Sequence, residues 1–250
     1  MRPNKEILLK LILNYGFVQG LILFLNLKLN KKANIRVPGI ANAIALRRGS
    51  SDFSTFYQIF LDKEYETELI KDPKVIIDAG ANIGLFSILM KSKFPESIII
   101  CVEPDVSNFK SLKENLSKYS NVYFENFALW STDKKLKVYD KFHMGKWGLI
   151  VEENATDFNV EALTINRIIE KYKIQRIDVL KLDIESSEKY LFRENFERWL
   201  PITKMILIEL HDRFEPDCSR IFFEFVNNHI SSYTLSASGE NIIVINNTIV

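Results

Sequence analysis

Two stretches of the chain set ionisable side chains where an apolar run stops. Ile177-Asp-Val-Leu-Lys-Leu-Asp-Ile-Glu185 carries Lys181, Asp183 and Glu185 at alternate positions, so a strand through it puts all three on one side. Met205-Ile-Leu-Ile-Glu-Leu-His211 repeats the device with Glu209 and His211. If these strands are neighbours, Asp183, Glu185, Glu209 and His211 converge, and three carboxylates with an imidazole are enough for acid–base work. His211 or Asp183 is then the base, with Lys181 and Glu209 orienting. Lysine is costly to bury alone, so Lys181 is expected to meet a carboxylate. Each group also has a simpler reading: Glu185 as charge complement of the next helix, Glu209 as counter-ion of Lys181, His211 as a hydrogen-bonded loop residue. Asp183, Glu209 and His211 also offer the oxygen and imidazole ligands that suit magnesium or manganese.

A third stretch points to a nucleoside. Val75-Ile-Ile-Asp-Ala-Gly-Ala-Asn-Ile-Gly84 runs from a β-branched segment into a glycine turn and then a helix. Such a turn lets backbone approach a ligand and presents amide groups at a helix start. Glu103 closes the next apolar run 19 residues after Gly84, where a carboxylate can accept from both hydroxyls of a ribose. Nicotinamide dinucleotide and S-adenosylmethionine are the two cofactors this leaves open. The dinucleotide fingerprint wants glycine at the first, third and sixth positions, but from Gly80 these are Gly80, Asn82 and Leu85, which weakens the pyrophosphate reading.

The elements that must position these groups alternate. Helices are expected over Leu85–Lys91, Ser107–Tyr119 and Glu188–Trp199, with one capped by Thr164. Strands are expected over Val75–Ile77, Ile98–Val102, Val122–Phe127, Leu136–Tyr139, Ile177–Leu182 and Met205–Glu209. Two last strands, Tyr233–Ser236 and Ile242–Ile245, meet through Ala237-Ser-Gly-Glu-Asn241, and a direct connection of this kind is antiparallel. The order predicts an α/β fold: a doubly wound, mainly parallel sheet with an antiparallel strand near one edge, whose ligands bind beyond the carboxyl ends of the strands. Trp130, Tyr139, His143 and Trp147 lie in a less regular middle segment and are read either as a sugar-stacking wall or as core.

Composition narrows the class. With 47% apolar and 26% charged residues the chain is globular, and its two cysteines, Cys101 and Cys218, can form no disulfide framework, which suits a cytosolic setting. The net charge of +1 hides an asymmetry: residues 1–36 carry seven basic side chains and one acidic, the remainder an acidic excess. The body therefore has no nucleic-acid-binding character. Leu11 to Leu27 contains no charge but is short against the roughly 20 residues of a membrane span and is interrupted by Asn14, Gly16, Gln19, Gly20 and Asn26. The expected organisation is a basic, apolar helical segment over 1–36, lying at an anionic membrane surface or packed on its own domain, followed by a catalytic domain over 37–250.

The Asp-x-Gly-x-x-x-Gly turn resembles motif I of class I methyltransferases. More of the chain is similar to the FkbM family of adenosylmethionine-dependent methyltransferases: Ile77–Gly84, Val102-Glu-Pro104, Asn126-Phe-Ala-Leu129, Ala162-Leu-Thr-Ile165, Ile177–Glu188 and Ile208-Glu-Leu-His211, with Leu46–Asp52 and Phe56–Tyr65 upstream. Ser186 departs from the glycine usual there. The resemblance implies a Rossmann-like class I methyltransferase fold. It implies that Asp78, Gly80, Asn82 and Gly84 line the methionine end of the cofactor, Glu103 the ribose, Asn126 and Ala128 the adenine, and that Asp183 lies near the transferred methyl. The implied activity is O-methylation of a sugar or glycan acceptor, lipid-linked at the inner membrane face, in bacterial surface polysaccharide synthesis. A nicotinamide-dependent sugar oxidoreductase and a non-catalytic membrane-docking module are the alternatives.

Overall fold

The computed structural model describes residues 4–29, 33–65, 68–140, 149–154, 156–184 and 187–249. Two amino-terminal helices, α1 (Asn4–Tyr15) and α2 (Phe17–Leu29), fold back on each other at Gly16. They cross at Gly20, where a Cβ would stand 2.6 Å from the Leu11 carbonyl oxygen. Ile7, Leu11, Leu23 and Leu27 are buried by this hairpin and join one core with Phe56, Ile59 and Phe60 of α3 (Asp52–Phe60). Between them β1 (Ala33–Ile35) pairs antiparallel with β2 (Ile44–Leu46), spanning residue 36. No described helix is long and apolar enough to cross a membrane.

Alternation then sets in: β3 (Val75–Ala79), α4 (Leu85–Lys93), β4 (Ile98–Val102), α5 (Val106–Leu116) and β5 (Val122–Glu125). A smaller sheet follows, of β6 (Ala128–Leu129), β7 (Lys135–Asp140), β8 (Leu149–Glu153) and β9 (Val160–Leu163), in the order β6-β9-β7-β8. Next come α6 (Ile165–Tyr172), capped by Thr164 accepting from the Arg167 amide, β10 (Val179–Leu182), α7 (Glu188–Leu191) and β11 (Met205–Glu209). The described chain closes with α8 (Cys218–His229), β12 (Tyr233–Ser238) and β13 (Asn241–Asn246).

The main sheet has the order β12-β13-β11-β10-β3-β4-β5, parallel from β11 through β5, with β13 antiparallel to both its neighbours. This is the expected doubly wound sheet with its antiparallel strand one in from the edge. Its central strands are apolar on both faces because both are covered. Ile76, Ile99, Val179 and Leu207 face the hairpin, α3, α4 and α5, whereas Ile77, Ile100, Leu180 and Ile206 face α6 and α8. Each fully buried Ile or Leu here contributes about 1.5–3 kcal/mol.

Two expectations change, and for Trp130 the core reading holds. The segment over 188–199 is helical only in α7, which ends at Leu191 with Phe192 as its cap, and further on Asn195 takes a left-handed φ of 61° with its side-chain amide donating to the Ser131 carbonyl. The last hairpin is tighter than five residues: β12 and β13 extend until Gly239-Glu240 alone joins them. Trp130 is core of the small sheet, stacked on Tyr190 at 4.5 Å, so it builds no sugar-facing wall. Tyr139 is half-buried beside Lys137, and His143 and Trp147 lie outside the described residues.

Candidate active site

The glycine turn is held from below. Gly80 has φ 73°, and a Cβ on it would stand 1.7 Å from the Asp183 carbonyl oxygen, so the turn and the end of β10 meet only through glycine. Beneath it Asp78, fully buried, accepts from Ser87 Oγ at 2.6 Å and lies 3.4 Å from Lys181 Nζ. Lys181 Nζ also donates to the Gly80 carbonyl at 2.9 Å and lies 3.5 Å from Asp183 Oδ2. Burial alone would lower the lysine pKa, but Asp183 and Asp78 outweigh it and raise it, so the ammonium stays charged. Lys181 thus meets carboxylates, though not Glu209 among the described contacts.

Three cofactor-side expectations are corrected here. Asp78 does not line a cleft but is the counter-ion of Lys181. Gly84 precedes α4 where a Cβ would meet Leu112 and Leu116 at 2.8 and 2.9 Å, so its place is helix packing. The amides of Gly80 and Ala81 donate to the Val102 carbonyl, that of Asn82 to Glu103 and that of Gly84 to Ala81, so these are not free anion-binding donors. Tying the turn to the end of β4 consumes them.

Glu103 faces this turn. Its Oε2 accepts from the Asn82 amide at 2.8 Å, and its Oε1 from the Asp105 amide at 3.0 Å and Asn108 Nδ2 at 3.3 Å. Arg47, forked on to Asp52, donates to Asn108 Oδ1 at 2.8 Å and so turns the amide of Asn108 toward the carboxylate. Burial pushes the Glu103 pKa up to about 7 despite these donors. The carboxylate lines a cleft with Gly80, Asn82, Ala128, Asp183 and Ser187. Asn126 does not line it: its amide donates to the Glu103 and Pro104 carbonyls at 2.8 and 3.2 Å and braces the strand end from behind.

On the other side of Asp183 stands the acid–base cluster. Strands β10 and β11 are parallel neighbours, as the convergence required. His211 is buried, with Nδ1 2.6 Å from Oε1 of the fully buried Glu188 and Nε2 3.3 Å from Glu209 Oε1 and 3.8 Å from Asp183 Oδ1. A carboxylate on Nδ1 fixes the ring and its tautomer and leaves Nε2 facing Glu209 and Asp183. The pKa of Glu209 is raised by burial and by Asp183, with its bond to His211 working the other way. Asp183, Glu209 and His211 each present one ligand atom within 4.8 Å of the others, a spacing at which such groups could share a cation. Glu185 lies outside the described residues. Glu188 is the residue that sequence reasoning missed; three carboxylates within Asp183-Ile-Glu-Ser-Ser-Glu188 were its signal.

A second cleft, of about 770 Å³, opens on this cluster and shares Gly80, Asn82 and Asp183 with the first. Gln58, Tyr65, Lys181, Glu209, Arg213 and Glu240 line it. Two clefts thus meet at Asp183, one closed on its far side by Glu103 and one ringed with charge.

Residues 78–234 match the family model of the methyltransferase FkbM domain. The chain belongs to the FkbM methyltransferase family. Methyltransferase 1 of Beauveria bassiana (strain ARSEF 2860) is 26% identical over 181 residues, covering 62% of this chain and 72% of that protein. Methyltransferase sdnD of Sordaria araneosa is 28% identical over 188 residues, covering 62% and 73%. Among solved structures, the O-methyltransferase from Bacillus cereus in complex with SAH aligns at a TM-score of 0.41 and 12% identity, over 90% of this chain and 88% of that one. The FkbM chain is an adenosylmethionine-dependent methyltransferase, and the nicotinamide reading gives way. The first cleft fits the cofactor. Asn82 Oδ1 and Ser187 Oγ, in two residues lining it, are buried without a hydrogen-bond partner among the described residues, a condition that native proteins seldom leave unmet.

Proposed function

We propose that this FkbM methyltransferase methylates a hydroxyl of a sugar or glycan, carried on a lipid, in bacterial surface polysaccharide synthesis. The observation that carries the reading is the second cleft: Gln58, Tyr65, Arg213 and Glu240 give it alternating donors and acceptors, which suits a polyhydroxylated acceptor better than an apolar one. When bound, adenosylmethionine supplies a methyl group on an electrophilic sulfonium. Glu103 would hold the ribose, Ala128 and Val102 the adenine side, and Asn82 with Ser187 the remaining polar groups. His211 Nε2 would take the proton of an acceptor hydroxyl presented to that methyl. Glu188 carries the charge that appears on the imidazole, and Asp183, fixed by Lys181, stands where the two clefts meet. Orientation and deprotonation are the two contributions asked of the protein.

The test is incubation with labelled adenosylmethionine and a panel of nucleotide-linked and lipid-linked sugars. Label in a sugar methyl ether supports the reading; label in none of them, by an enzyme that binds the cofactor, removes the glycan acceptor. The donor set of Asp183, Glu209 and His211 favours a second reading, in which a divalent cation polarises the hydroxyl. Turnover that chelator abolishes and magnesium or manganese restores would transfer the cluster from base to metal.

A further inference from the structure

We infer that the α1–α2 hairpin docks the enzyme on an anionic phospholipid bilayer. Its inner side is committed to the protein core, but its outer side carries Leu9, Leu13, Phe17, Val18, Ile22 and Leu25, from 43% to 74% exposed. The other exposed large apolar residues, such as Leu69, Ile98 and Leu235, are scattered over the rest of the described chain. Leu9 and Leu13 repeat at helical spacing on α1, Val18, Ile22 and Leu25 do so on α2, and Phe17 stands at the bend, so the six form a ridge and not isolated exposures. A contiguous apolar patch of this kind marks an interaction surface.

Charge selects the occupant. From Leu11 to Leu27 no residue is charged, while Lys5 and Lys28 are exposed near the open ends of the two helices and Arg36 follows them. Residues 1–36 hold seven basic side chains against Glu6, and of these Lys10 is tied to Glu6 and Asp62. A second copy docking through the same ridge would bring this basic excess against itself, since a two-fold contact presents the same patch on both sides. An anionic lipid surface complements it: apolar side chains enter the acyl boundary and the basic ends meet the headgroups. The proposal does not depend on the acceptor and stands whether or not that acceptor is a lipid-linked sugar.

The full chain is to be sedimented with vesicles of equimolar phosphatidylglycerol and phosphatidylcholine, and with phosphatidylcholine alone. Binding is expected to the anionic vesicles, to weaken with salt, and to fall about fivefold for each of K5Q and K28Q. The double variant F17S/V18S, whose changes lie at exposed positions, is expected to partition at least about tenfold less while binding adenosylmethionine as before. Failure of a cofactor-binding chain to sediment with anionic vesicles overturns the proposal, as does unchanged binding by F17S/V18S. Self-association in size-exclusion chromatography that this double variant abolishes would assign the ridge to a second copy instead.

Discussion

The two clefts share Gly80, Asn82 and Asp183 yet are built on opposite principles. In the first, Glu103 is held by the Asn82 and Asp105 amides and by Asn108, groups that do not ionise and leave the carboxylate a fixed acceptor. In the second, Glu209 and Asp183 of the lining are held by the buried His211, which Glu188 holds in turn, so ionisable groups support one another. The contrast separates recognition from reaction. A rigid acceptor in neutral surroundings selects a ligand, and a set of coupled groups can pass a proton.

Four measurements break or sharpen that separation. Replacing His211 with Asn should cut turnover about 10²–10⁴-fold with the adenosylmethionine Kd unmoved; a Kd that falls in step would join the clefts into one unit. Glu103→Ala should weaken cofactor binding about 10²-fold or more, since hydrogen bonds to a charged group contribute about 1.5–3 kcal/mol each, and calorimetry that finds equal affinity removes the ribose assignment. Glu188→Gln keeps the shape and removes the charge behind His211. Its expected cost is about 10–10²-fold in kcat with KM for the cofactor unchanged, and a matching loss of cofactor affinity would show that Glu188 supports the fold instead.

The smallest effect is with pH. Glu103 must ionise for both its oxygens to act as charged acceptors for a pair of hydroxyls, and its pKa is raised to about 7. Adenosylmethionine affinity should therefore fall up to about tenfold per pH unit below that point, a slope absent in Glu103→Gln. The sign for stability is opposite. An acid with a raised folded pKa favours folding below its unfolded value and gives that up as pH rises toward about 7. This window is worth about 3 kcal/mol and should vanish from the unliganded Glu103→Gln variant in denaturant titrations across pH 4.5–7.

The sheet was legible because apolar runs with period-2 exits have few alternatives: Ile98–Val102 and Met205–Glu209 form strands with those bounds, and their ends sit where the ligands were sought. The convergence of Asp183, Glu209 and His211 followed from strand adjacency alone. What escaped was every feature fixed by a partner distant in sequence. Asp78 has the spacing of a cofactor contact, but its neighbour across the register is Lys181, which no local pattern reveals. Asn126 was read as an adenine contact, and only the fold shows its amide spent on carbonyls of residues 103 and 104. Glu188 has the place of a first turn in a long helix, but the helix stops at Leu191 and the carboxylate is buried against His211 and Cys218 of α8.

The Asp78–Lys181 pair has a bearing on how mutants of this enzyme should be interpreted. Asp78 is fully buried beneath the glycine turn, so truncating Lys181 strands its carboxylate, a loss of about 3–5 kcal/mol, whereas truncating Asp78 leaves Lys181 with Asp183. Inactivity of a Lys181→Ala protein would then report a collapsed floor, not a missing participant in methyl transfer. Neutralising both together, with an apolar pair of similar bulk, is the substitution that distinguishes a broken scaffold from a broken reaction.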